Sequence, residues 1–227
     1  MSADFFKKKF GRIVICFLAI FATACGLFYA WQVKTRVQIN TAKQFYFLVD
    51  TSVNVQASTY GAQSVGGAGY LLTVEKNIGV AYSVYFTEEE SQQAKNSLQT
   101  SYANVSVWII SAPDIYLKKR KAKALAEKIE GAFESFYNNM QVLNAQTSRL
   151  EDGGTQQSCV RILNILASNF AYLGLEYKTV LPAYAKRCDE VGSVLRTLTN
   201  GVIYVRELRY LLCELCVSYV QFCEEYS

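Results

Sequence analysis

Within residues 80–98, VAYSVYFTEEESQQAKNSL, the chain passes from a two-residue hydrophobic period into a capped helix with no loop between them. Val80, Tyr82, Val84 and Phe86 alternate with Ala81, Ser83 and Tyr85, the pattern of a strand with one buried face. Thr87 then offers a side-chain oxygen to cap a helix, and Glu90 is spaced to reach back to the Thr87 amide and complete a capping box. A strand feeding directly into a helix, beside other short strands, places this module in the α+β class.

Upstream, residues 13–33 contain no charged side chain, about the 20 residues needed to cross a bilayer core. Lys7, Lys8, Lys9 and Arg12 precede the run, and Lys34 and Arg36 follow it. The heavier basic flank predicts a single-pass cell-membrane protein with a cytoplasmic N-terminus and an extracytoplasmic C-terminus. Tyr29 and Trp31 sit where an aromatic belt meets the interface. Ala22-Thr23-Ala24 has the form of a cleavage site, and with Cys25 it is a poor relative of a lipobox. The apolar run continues past both, which favours an uncleaved anchor. The net charge of +4 is concentrated at this membrane end, so no nucleic-acid partner is expected.

From residue 44 the period becomes two. Phe45, Phe47 and Val49 form one face of a strand, with Tyr46, Leu48 and Asp50 on the other. Residues 51–65 are a short helical stretch, and Gly66-Gly67-Ala68-Gly69 breaks the chain before a strand at 70–74. Glu75-Lys76-Asn77 with Gly79 reads as a hairpin turn into the strand at 80–86. The capped helix covers 88–102, and a last strand covers 105–110 before Pro113. Strand, helix, strand, strand, helix, strand predicts a four-stranded ferredoxin-like domain.

Beyond residue 115 the period is that of amphipathic helices. Leu125, Ile129, Ala132, Phe136, Met140 and Leu143 form one stripe; Cys159, Ile162, Leu166, Phe170 and Leu173 form a second. After Pro182 a third runs almost to the end, with Gly201 in it predicting a bend or a break near Asn200. Three such helices predict a bundle or coiled coil. The chain thus divides into a cytoplasmic N-terminus (1–12), a transmembrane helix (13–33), a linker (34–43), an α+β domain (44–112) and a helical domain (113–227).

Histidine is absent, which excludes Ser-His-Asp and Cys-His nucleophile pairs, HExxH zinc sites and histidine bases within this chain. The glycine cluster precedes a strand and lacks a following Lys-Ser or Lys-Thr, so it reads as a turn and not a phosphate loop. Cys213-x-x-Cys216 has the spacing of a thiol pair, but it lacks a second pair, and the cysteines outside the span fall mostly on apolar seams. Glu88, Glu89 and Glu90 suit the positive end of a helix dipole. Lys118, Lys119, Arg120, Lys121 and Lys123 form a basic run, read as a solvated helix face with anionic wall polymer or lipid head groups as the alternative. No catalytic residue, metal or cofactor is assigned, and the chain is not expected to be an enzyme.

Phe45 to Val49 and the segment 82–94, YSVYFTEEESQQA, resemble the SPOR domain, a bacterial module of cell-division and sporulation proteins. The resemblance covers roughly residues 42–112. The family's glutamine in the first strand falls on Leu48, and Asp50-Thr51-Ser52 replaces its usual Gly-Ser/Ala-Phe. The likeness implies binding to peptidoglycan strands lacking stem peptides, on the sheet face that helices leave open. Tyr46, Leu48, Ser83, Tyr85, Ser106 and Trp108 mix aromatic and polar groups as a glycan face does. Of these, Tyr46, Leu48, Ser83, Tyr85 and Trp108 are the expected contacts. Phe45, Phe47, Val49, Tyr82, Val84, Phe86, Val105, Val107 and Ile109 are expected to meet the helices.

Two functions follow as expectations. The first is a membrane protein whose SPOR-like domain binds peptidoglycan, with a homo- or hetero-oligomer formed through the C-terminal helices. The alternative is a structural or assembly protein in which those helices cover the sheet and mediate association without glycan binding.

Overall fold

The computed structural model describes residues 36–52, 54–99, 104–118 and 122–227; the expected membrane span at 13–33 and residues 119–121 of the basic run lie outside them. In chain order the elements are β1 (Arg36–Ile39), β2 (Lys43–Asp50), α1 (Val55–Ser64), β3 (Tyr70–Val74), β4 (Asn77–Tyr85), α2 (Glu88–Gln99), β5 (Val105–Ala112) and β6 (Ile115–Lys118). Four long helices follow: α3 (Ala122–Glu151), α4 (Gln156–Tyr177), α5 (Pro182–Leu198) and α6 (Val205–Glu225). The chain is α+β, with six helices among the described residues and an antiparallel sheet in the order β3-β4-β2-β5.

Local chemistry sets the helix starts. Thr87 Oγ1 accepts the Glu90 N–H at 3.3 Å, the forward arm of the capping box, and Asn54 and Thr155 cap α1 and α4 in the same way. Pro182 opens α5, where its missing N–H is not needed. Around Gly201 the chain leaves the helix altogether, so the third apolar stripe becomes two helices, α5 and α6.

β1 and β6 pair as a separate two-stranded ribbon, with Arg36 opposite Lys118 and Ile39 opposite Ile115. This departs from the expected linker at 34–43 and from a helical domain beginning at 113. Ile39 and Ile115 are fully buried, and Asp114 takes bonds from Gln38 Nε2 and the Ala42 N–H. At four residues each, both strands sit at the lower limit of what alternation reveals.

The β2–β5 register pairs Phe47 with Trp108, Tyr46 with Ile109 and Leu48 with Val107. Trp108 and Ser106 therefore share the face of Phe45, Phe47 and Val49, while Val105, Val107 and Ile109 lie with Tyr46, Leu48 and Asp50, the reverse of the expected assignment. The period of β5 was legible, but VSVWIISA is apolar on both sides, and only pairing decides its phase. Tyr82 also changes face. Leu48 pairs with Ser83 but Val49 with Ala81, leaving Tyr82 as the extra residue of a bulge. It joins Leu48, Ala62, Val80 and Val105 in a small core.

Gly79 lies within β4 and not in the hairpin turn, which is Glu75-Lys76 alone. A Cβ there would run into Val49, with the Asp50 carbonyl at 3.1 Å and the Trp108 ring at 3.2 Å. The face carrying Phe45, Phe47 and Val49 is covered by α6. Phe45 meets Tyr219 edge-on at 5.7 Å, Tyr70 meets Tyr210 at 5.2 Å, and one core runs from Phe47 and Val84 through Phe136 to Leu212 and Cys216. α4 is the one helix among the described residues long and apolar enough to cross a membrane by length and composition. Its Cys159, Leu163, Leu166, Phe170 and Leu173 are buried within the bundle.

Candidate functional site

The five expected glycan contacts do not converge on one surface. Tyr46 is half-buried, donates its hydroxyl to Gln44 Oε1 at 2.9 Å, and lines a shallow groove of about 580 Å³ with Phe86, Thr87, Glu88, Glu89 and Gln92. Leu48 is wholly buried in the small core. Trp108 is half-buried on the opposite face, against the main core.

Ser83 and Tyr85 occupy a third place. β3 pairs with β4 only as far as Ala81, so both residues lie beyond its end. They line a cavity of about 130 Å³ with Asn144, Thr147, Ser148 and Glu151 of α3 and with Arg209 and Leu212 of α6. Burial raises the Tyr85 phenol above its ordinary pKa, with Arg209 pulling the other way.

Arg209 organises this cavity. Its Nη2 donates to both Glu151 carboxylate oxygens at 2.6 Å, and its Nη1 donates to the Gly66 carbonyl at 3.0 Å. Gly66 and Gly69 have φ of 78° and 64°, conformations that glycine adopts without strain. The glycine cluster is thus a turn that presents a carbonyl to α6. Sequence reasoning missed this clamp, because nothing local links positions 143 residues apart.

Glu88, Glu89 and Glu90 are exposed in the first turn of α2. The five described cysteines, Cys159, Cys188, Cys213, Cys216 and Cys223, are all free and buried. Burial pushes the Cys188 and Cys223 thiols up to about 12, and Cys213 and Cys216 well above the ordinary value. Protonated, water-excluded thiols are poor nucleophiles, so Cys213-x-x-Cys216 acts as packing. Among the described residues no cluster of three or more His, Cys, Asp or Glu is placed to hold a metal.

Two further grooves lie on α3. In one, Lys43 Nζ sits 4.8 Å over the Tyr137 ring near Glu130 and Glu134. In the other, Asn169 Nδ2 donates to the buried Asn139 Oδ1 at 3.2 Å. No protein-family model matches the chain, and neither does any curated protein or solved structure.

Proposed function

We propose that this chain is a non-enzymatic, single-span membrane protein whose extracytoplasmic part acts in assembly. In this reading the sheet module and the C-terminal helices form one scaffold. The observation that carries it is α6 lying along the sheet face that a SPOR-like module would offer to glycan. Tyr219 bonded to Thr41 and Arg209 bonded to Gly66 hold it there. Glycan at that face would first have to displace α6. The order β3-β4-β2-β5, with every neighbour antiparallel, supports a ferredoxin-like reading of the module.

Sedimentation velocity of the full chain in detergent micelles tests the assembly reading. Association that grows with protein concentration is expected; a monomer at every concentration overturns it.

A glycan-binding role is the second reading, and the groove beside Tyr46 and Phe86 is what favours it, since aromatic faces beside Gln92 and two carboxylates suit a sugar. Retention on denuded peptidoglycan that falls with Tyr46→Ala supports it. Retention that is absent, or indifferent to that change, removes it.

A further inference from the structure

β5 closes one side of the four-stranded sheet. Among the described residues it pairs with β2 alone, and that ladder runs unbroken over all eight residues. An edge strand presents a row of unpaired backbone donors and acceptors, which proteins usually blunt with charge, proline, a bulge or short length. The opposite edge follows that rule: β3 has five residues, and its turn carries Glu75 and Lys76. β5 does not. VSVWIISA has no charge and no proline, and four of its eight residues are Val or Ile.

The exposure of β5 fits an edge awaiting a neighbour. Ile109 is 53% exposed, and Ser106, Val107, Trp108 and Ile110 are each half-buried. Neither α2, which packs beneath, nor α6, which packs above, closes over Ile109. An added strand finds apolar rows on both faces: Val107 and Ile109 on the α2 side, Trp108 and Ile110 on the α6 side. A strand that matches both rows at once, in antiparallel order, is β5 of a second copy. Across a two-fold axis each row then meets its own kind, and with no charge from 105 to 112 no like charges face each other.

We propose that the outer edge of β5 is where a second copy of this chain adds, joining two sheets into one of eight strands. The inference rests on the assembly reading and names its partner and surface. It moves self-association from the helices to the sheet.

Disulfide trapping tests it in the full chain, in micelles, with Cys16→Ser and Cys25→Ser. The five described cysteines are buried, so they contribute little background. Val107→Cys, Ile109→Cys and Ser111→Cys are made singly and oxidised alone or as mixed pairs. Antiparallel pairing about a two-fold axis brings together residues whose numbers have a constant sum, so one of these combinations is expected to give covalent dimers.

Ile109→Lys is expected to weaken dimerisation at least about tenfold while leaving the far-ultraviolet spectrum unchanged; Ile109→Thr, neutral and still β-branched, keeps the dimer. An oligomer that persists with Ile109→Lys and is trapped by none of the cysteine combinations overturns the proposal and leaves the assembly reading standing. A wild type that is always monomeric removes both.

Discussion

The Tyr219 hydroxyl in α6 donates to the Thr41 carbonyl, just before β2, at 2.9 Å, joining positions 178 residues apart. Both residues are buried, and Thr41 Oγ1 donates in turn to the Pro113 carbonyl at 2.8 Å. The helix, the sheet and the turn into β6 are therefore fastened at one point. Tyr219→Phe removes the hydroxyl without opening a cavity and leaves the Thr41 carbonyl without its donor. A loss of about 1–3 kcal/mol is expected in urea unfolding, with m unchanged.

Arg209 separates an ion pair from a partly buried hydrogen bond. Its side chain is 16% exposed but its partner Glu151 is 51% exposed. A double-mutant cycle between Arg209→Ala and Glu151→Ala is expected to give a coupling below about 1 kcal/mol. Arg209→Ala alone costs more, about 1–3 kcal/mol, because the Gly66 carbonyl loses its donor. Equal losses from the two single changes would show that the ion pair carries the contact.

Ser106 offers a change in the other direction. Its hydroxyl, on the α6 side of β5, is buried with no hydrogen-bond partner. A buried polar group without a partner costs stability, so Ser106→Ala is expected to be neutral or to stabilise by up to about 2 kcal/mol. A fall in Tm on this change would contradict the geometry.

The buried thiols predict alkaline sensitivity. In the folded chain Cys188 and Cys223 hold their protons up to about 12, against an ordinary value of 9.0. Between those limits the unfolded state releases protons that the folded state keeps. Stability is therefore full below about pH 9 and falls as pH rises toward 12, by about 1.4 kcal/mol per pH unit for each such thiol. Urea midpoints measured from about pH 8 to about pH 11 should show the fall, and Cys188→Ala should lessen its slope by one proton. In the native protein the same thiols should resist alkylation until denaturant is added.

What was legible in the sequence was local. Thr87 and Glu90 marked the start of α2 because the cap spans one turn, and Pro182 and Gly201 marked helix limits because backbone chemistry acts at the residue itself. The phase of β5 was not legible, since Val107 and Trp108 are both apolar and only pairing with Leu48 and Phe47 tells their faces apart. The same holds for the candidate contacts. Tyr46 and Trp108 share one alternation on paper, and a one-residue slip sends them to opposite faces. Tyr82 moved because a single bulge reset the count. The Arg209 clamp and the β1–β6 ribbon depend on long-range closure that no window of sequence contains.

Combined with the proposed membrane span, the ribbon would also limit where the folded part can be. Only Lys34 and Thr35 separate the uncharged run at 13–33 from Arg36, the first residue of β1. With that run spanning the bilayer as proposed, two residues allow a leash of about 7 Å. The sheet then rides against the head groups and cannot sweep outward. On that proposal, whatever the sheet meets would have to come down to the lipid surface, and two copies pairing through β5 would find each other by drifting in a plane, so that crowding per unit area would set how often they pair.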